Sequence, residues 1–143
     1  MINSFDKEYD FLSNFYHSPI EKDGIKYPTV EHLFQASKTL DIEDHLLIAA
    51  AATPGQSKRM GRSIQLRPDW EQIKDEVMYD AVYRKFTQNP NLKTKLLATG
   101  DAQLIEGNTW HDHYWGVCNG VGENRLGQTL MEVRERLKKE GEI

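Results

Sequence analysis

Apolar residues recur along the chain at two spacings, and the change between them divides it. Ile20 and the segment Ile25–Tyr27 flank Lys22, Asp23 and Gly24. Asp-Gly between short apolar segments signals a tight hairpin, because the favoured turn needs positive φ at both central residues. The first 27 residues therefore read as extended. From Pro28 the period becomes helical. Val30, Leu33, Phe34, Ser37 and Leu40 share one face after the start signals Pro28 and Thr29. A second helix is expected from about Ile42 to Ala52. Thr53 then acts as a cap with Pro54 at the first helical position, opening a short helix to about Met60.

Further on, Asp69 with Gln72 has the spacing of a capping box. The helix behind it carries Trp70, Ile73, Val77, Ala81 and Phe86 on one face. Asn89-Pro90 opens another short helix through Leu92, Leu96 and Leu97, closed by Gly100. Leu104-Ile105 reads as a short strand, and residues 107–123 as a loop rich in glycine and aromatics. Asn124 is placed as the cap of a last helix with Leu126, Leu130, Val133 and Leu137 inward and Arg134–Glu142 facing water. The fold class is mainly α (α+β): one compact multihelical domain, residues 1–143, with a small N-terminal β element.

Composition narrows the function. The chain has 143 residues, a formal net charge of −4 and 28% charged residues. That balance suits a soluble globular domain and argues against a surface that is basic throughout. No apolar run approaches the roughly 20 residues of a membrane span. The start, Met1–Asp6, lacks a basic-then-apolar secretory pattern. The one cysteine, Cys118, has no internal partner. A cytoplasmic location is expected. Lys58, Arg59, Arg62 and Arg67 form a local basic group that reads either as a solvated helix face or as a phosphate-binding rim.

Three clusters carry candidate chemistry. On the helix after Pro28, Glu31, Gln35 and Lys38 are spaced i, i+4, i+7 and project within roughly 60° of one another. They read as ordinary helix decoration or as polar groups at the rim of a cleft. There an ionised carboxylate suits a transition state with positive charge on a sugar. The second cluster runs from Glu106 to Gly116 and packs Trp110, His111, Asp112, His113, Tyr114 and Trp115 together. Its aromatics either fill the core or stack a base. Asp112 suits water polarisation or cation stabilisation. Neighbouring His111, Asp112 and His113 do not point at one ion, so no metal is expected. The third cluster, Gly116–Arg125, reads as a flexible loop with a capped helix or as an anion site built from glycines, the helix start and the fork of Arg125. It is neither a Walker A loop nor a dinucleotide fingerprint.

The clusters, in this order, resemble the NADAR (YbiA-like) family. The resemblance runs from about residue 9 to 137. It rests on Phe11–Phe15, Glu31–Lys38, Met60–Arg62, Leu66–Trp70, Val77-Met78 and Lys85-Phe86. It continues through Leu96–Thr99, Leu104–Glu106, Tyr114–Gly116 and Asn124–Gly127. The resemblance implies a hydrolase acting on an N-glycosidic bond. The implied substrates are phosphoribosylamino-pyrimidine intermediates of riboflavin biosynthesis or ADP-ribose on guanine, the latter in DNA or RNA. It implies that Asn14, Glu31, Lys38, Trp70, Glu106, Asp112, Trp115 and Asn124 line the site. His111, His113 and Cys118 have no place in it.

The expectation is an N-glycosidase without cofactor. Its catalytic residues are Glu31, Lys38 and Asp112. Its substrate-binding residues are Asn14, Arg62, Trp70, Glu106, Trp115, Asn124 and Arg125. Glu31, Lys38, Asp112 and Trp115 are expected to converge on one cleft. Lys38 either orients Glu31 or forms a Schiff base with the ring-opened sugar. The alternative function is a non-catalytic ADP-ribose or NAD-binding module, and the sequence leaves the oligomeric state open.

Overall fold

A computed structural model describes residues 1–142 of the chain. Among the described residues there are six α-helices, one 3-10 helix at Lys7–Leu12 and a two-stranded sheet. The fold is mainly α with a small N-terminal β element, as the apolar pattern indicated. Strands β1 (Ile20–Lys22) and β2 (Ile25–Tyr27) pair antiparallel, with Lys22 opposite Ile25. The turn residues Asp23 and Gly24 have φ of 53° and 80°, which the Asp-Gly signal requires. The helices are α1 (Val30–Ala36), α2 (Ile42–Ala49), α3 (Pro54–Gly61), α4 (Trp70–Gln88), α5 (Pro90–Ala98) and α6 (Arg125–Glu140). Among the described residues no helix is long and apolar enough to cross a membrane.

The chain divides into two units. One is Asn14–Asn89; the other joins Met1–Ser13 to the chain from Pro90 onward. In the Asn14–Asn89 unit, α1 packs against α2, α3, α4 and β2. Every residue of α1 is buried, not only its apolar face. Thr29 Oγ1 accepts from His32 N at its start. The helix stops at Ala36, earlier than the expected Leu40: Ser37 turns its hydroxyl back onto the Leu33 carbonyl (2.7 Å), and Leu40 is 69% exposed. Helix α3 begins as read, with Thr53 accepting from Gln56 N and Pro54 in the first turn. Helix α4 buries Trp70, Met78, Ala81, Val82, Lys85 and Phe86. Ile73 and Val77 are half-buried.

In the other unit, Ile2 bridges Leu104 in parallel, and α5 packs on α6. Helix α6 buries Leu126, Leu130, Val133 and Leu137 as its period predicts.

Four local readings are corrected. The first 27 residues are not extended throughout, because Phe11 and Leu12 are buried by the 3-10 turn at Lys7–Leu12. Asp69 makes no side-chain cap bond among the described residues; its carboxylate is taken by Arg67 at 2.7 and 3.1 Å. Asn124 does not cap α6 either: it sits in the left-handed region at φ 54°, and its side chain points elsewhere. Arg134 does not face water. It is buried and donates to Thr99 Oγ1 at 2.8 Å.

His32 shows how a buried helix keeps its polar groups satisfied. Its Nδ1 lies 2.8 Å from Thr29 Oγ1 and its Nε2 lies 3.0 Å from the Ala51 carbonyl. The carbonyl only accepts, so Nε2 carries a proton. Burial holds its pKa below the usual histidine value, partly opposed by the bond to Ala51. The unfolded chain therefore takes up a proton first as pH falls through about 6.5, and the native state loses stability from there downward. Denaturant titrations above and below about pH 6.5 are expected to show this loss. His32→Gln lowers stability at neutral pH by about 1–3 kcal/mol and flattens the acid dependence. His45, also held low by burial, retains the remaining slope.

Candidate active site

Within the Asn14–Asn89 unit the structure gathers Glu31, Gln35 and Lys38. Glu31 N donates to the Asn14 carbonyl (3.1 Å), tying α1 to the segment that follows Ser13. Gln35 Nε2 donates to Glu31 Oε2 at 2.7 Å. Among the described residues Gln35 Oε1 has no hydrogen-bond partner. It lies against Gly61, where an added Cβ would stand 2.0 Å from it. Reversing the amide would set an oxygen against the Glu31 carboxylate, so the orientation is fixed by charge. Helices α1 and α3 thus approach closely because position 61 has no side chain.

Lys38 follows α1 by two residues. Its carbonyl accepts from Arg67 N at 2.8 Å, and its Nζ stands 5.7 Å from the Phe34 ring centroid. Trp70 meets the same ring edge-on at 5.1 Å and is buried, so it forms a wall and not an open stacking face. Burial lowers the Lys38 pKa below the usual lysine value. Glu31 opposes that shift, while Lys58, Arg62 and Lys74 add to it. A half-buried amine with one carboxylate and three cations in range is poised to lose its proton more readily than a surface lysine. Asn14 Nδ2 contacts Met78 Sδ at 3.6 Å.

The basic group is not uniform. The Arg67 guanidinium is forked onto Asp69, and this bond holds the Asp69 carboxyl below its usual range. Lys74 Nζ is 2.6 Å from Glu71. Arg62 is exposed.

In the other unit the structure gathers Glu106, Asn108, Asp112, Trp115 and Asn124 around one loop. Asp112 Oδ1 accepts from Tyr114 N and Trp115 N at 3.1 and 2.9 Å. Asn108 Oδ1 accepts from Asp112 N, and its Nδ2 donates to the Asp112 carbonyl. Asn108 Nδ2 also reaches Glu106 Oε2 at 3.2 Å. That carboxylate lies over Gly116, where a Cβ would stand 1.6 Å from it. Buried Asn124 accepts from Glu106 N and donates to the Leu104 carbonyl, both at 2.9 Å. Tyr114 and Trp115 rings meet edge-on at 4.9 Å. Arg125 grips Glu123 at 3.0 Å and lies 5.4 Å from the Tyr114 centroid.

The expected anion site at the α6 start is not free. Its first N–H groups, from Asn124, Arg125 and Leu126, donate to the carbonyls of Gly116, Tyr114 and Trp115. The loop folds onto the helix end and satisfies it. The glycine-rich stretch before it is a two-residue hairpin: Cys118 and Val121 exchange backbone bonds, with Asn119 and Gly120 at φ 53° and 77°. Asn-Gly is the same turn signal as Asp23-Gly24 and marks this hairpin in the sequence. His113 Nδ1 bonds the Val121 carbonyl at 2.8 Å, and the His111 ring faces buried Cys118, with Nδ1 4.0 Å from Sγ.

The two clusters fall on the segments that carry the family resemblance, and residues 2–138 match the NADAR domain. The chain belongs to the NADAR family. N-glycosidase YbiA of Shigella flexneri is 47% identical over 133 residues, covering 91% of this chain and 82% of that protein. A riboflavin biosynthesis protein of Vibrio vulnificus, VVA0006, is 40% identical over 136 residues; the match covers 93% of this chain and 37% of that protein. The NMR structure of YbiA from E. coli aligns with a TM-score of 0.87 at 41% identity, over 99% of this chain and 89% of that one.

The surroundings of Lys38 make opposite predictions for two neighbours. Glu31→Gln removes a charge that raises the Lys38 pKa, so the pKa falls further. Arg62→Gln removes a like charge, so it rises. Acylation of Lys38 followed by mass spectrometry across pH is expected to shift to lower pH in the first variant and higher in the second. Superimposable profiles would remove both groups from the surroundings of the amine.

Proposed function

We propose that this NADAR protein is an N-glycosidase that hydrolyses the bond between a ribose anomeric carbon and an amine nitrogen of a base, in a phosphate-bearing nucleotide. The observation that carries the reading is the placement of Lys38, half-buried two residues past the all-buried helix that carries Glu31, where burial lowers its basicity. A module that only captured anions has no need to lower its lysine's basicity; a lysine that gives up its proton more readily serves chemistry. The N-glycosidase names of the relatives support the activity. The name of the Vibrio relative supports riboflavin-pathway phosphoribosylamino-pyrimidines as the substrate class. ADP-ribose on guanine, in DNA or RNA, rests on the family resemblance and is the second substrate reading. The cytoplasm suits a nucleotide substrate and an unpaired cysteine.

Departure of the base amine builds positive charge at C1′ and the ring oxygen. The Glu31 carboxylate opposes that charge, an effect worth a few kcal/mol. In the direct route water adds to C1′ and the departing amine takes a proton. In the covalent route the neutral Lys38 amine adds to C1′ and the base amine leaves with a proton. The C1′–O4′ bond then breaks, O4′ taking a proton as the lysine nitrogen forms a C=N bond to C1′, and water hydrolyses this imine to free the sugar aldehyde and restore the amine. The lowered Lys38 pKa favours the second route. Borohydride added during turnover is expected to fix the sugar mass on Lys38, and Lys38→Arg to lose at least about a hundredfold in base release. Turnover without adduct restricts Lys38 to orienting Glu31, and wild-type rates in Lys38→Arg remove it from the site.

Within its own loop, Asp112 is assigned to polarising water or steadying positive charge, and Trp115 to stacking the base. Glu106, Asn124 and Arg125 are assigned to substrate contacts beside them, on the same loop and at the start of α6, and Asn14 and Trp70 to substrate contacts beside Glu31. Asp112→Asn keeps an Oδ1 that accepts from Tyr114 N and Trp115 N, so the loop is preserved. Its melting temperature is expected to stay near wild type while base release falls more than about tenfold. Full activity in that variant would restrict Asp112 to shaping the loop.

A further inference from the structure

Of the basic residues between 58 and 74, two are already answered. Arg67 is bidentate on Asp69, and Lys74 is paired with Glu71. Among the described residues neither Lys58 nor Arg62 is paired with a carboxylate. Helix α3 sets these two apart from Arg59. Its inward face is Ser57 and Gly61, both buried, with Gly61 pressed on Gln35 of α1. At about 100° per residue, Lys58 and Arg62 lie within about 40° of each other, flanking that inward face on one side. Arg59 projects roughly opposite the inward face. Lys38 comes less than a turn after Gln35, and both Lys58 and Arg62 act on it electrostatically. Two unneutralised cations held beside a third repel one another and create a local field for an anion.

We propose that Lys58 and Arg62 bind the phosphate of the substrate and set the preference for a phosphorylated ribose, whereas Arg59 and Arg67 do not. The proposal rests on the N-glycosidase reading. A phosphomonoester carries a charge of about −1.5 to −2 near neutral pH, which one ammonium and one guanidinium balance. The arginine supplies a planar fork and the lysine a point charge. The same chemistry is offered by a terminal 5′-phosphate or by the diphosphate of ADP-ribose. A 5′-phosphate is the better match, because one small dianion fits between two side chains a helical turn apart.

The test reads selectivity. The ratio of kcat/KM for a phosphoribosylamino-pyrimidine to that for its 5′-hydroxyl counterpart is measured in the wild type and in Lys58→Gln, Arg62→Gln and Arg59→Gln. ADP-ribosylated guanosine serves as a third substrate. The ratio is expected to fall about 10- to 100-fold in the first two variants and to hold in the third. An equal fall on both pyrimidine substrates would mean that the pair acts only through Lys38 and overturns the proposal, as would an unchanged ratio. A selective fall on ADP-ribosylated guanosine alone transfers the phosphate site to the diphosphate and overturns the 5′-phosphate assignment. Inorganic phosphate titrated into isotope-labelled wild-type protein is the second measurement. Saturable shifts of the Ser57–Arg62 amides are expected, and their absence overturns the proposal even if a variant fails to fold. Base release from none of the substrates would sink the N-glycosidase reading, while the phosphate titration still decides the anion site.

Discussion

The burial of α1 on all sides is the constraint from which the Asn14–Asn89 unit follows. A seven-residue helix that buries Glu31, His32 and Gln35 has to satisfy them internally, since an unmet buried polar group costs about 1–3 kcal/mol. His32 is met by Thr29 and Ala51, and the Glu31 carboxylate by Gln35. The remaining Gln35 oxygen is pressed against Gly61. These contacts fix the rotation of α1, the distance to α3 and the place where Lys38 emerges. The groups assigned to chemistry are therefore part of the packing.

A second, separate economy governs the Glu106–Asn124 loop. Its residues are irregular in secondary structure, yet side-chain amides and carboxylates stand in for a sheet. Asn108, Asp112 and Asn124 each bond backbone groups of neighbouring loop residues. Gly116 leaves room for the Glu106 carboxylate. The Asn119-Gly120 hairpin and the bonds that close the α6 start leave few loose backbone groups. A loop satisfied to this degree is preorganised, so the Asp112 carboxylate is held in one place by the backbone groups around it.

Charge placement distinguishes the cations from one another. Arg67 and Lys74 sit next to carboxylates two and three residues away, so short-range sequence spacing gives them partners. Arg134 is buried on Thr99. Burial lowers the basicity of Lys38, and Glu31 on α1, Lys58 on α3, Arg62 just past α3 and Lys74 on α4 adjust it. Depressed basicity at such a point is a product of assembly.

Local chemistry was legible in the order of residues wherever the signal acts over one turn. The Asp23-Gly24 hairpin, the Thr29 and Thr53 caps, Pro54 in the first turn of α3 and the inward stripe of α6 all follow from spacing and backbone preference. So does the family, because the motifs keep their order. What the sequence left open depends on groups distant along the chain. Asp69 and Asn124 carry the residue types of helix caps, but tertiary neighbours claim their side chains: Arg67 takes one, and the Leu104–Glu106 backbone takes the other. The helix start at Arg125 looks like an anion site until the carbonyls of its own loop fill it. Whether Glu31 and Gln35 decorate a surface or lie in a core cannot be read from a spacing common to both. Only the packing of α1 against α2, α3, α4 and β2 decided it, because burial is a property of the surroundings and spacing is a property of the helix alone.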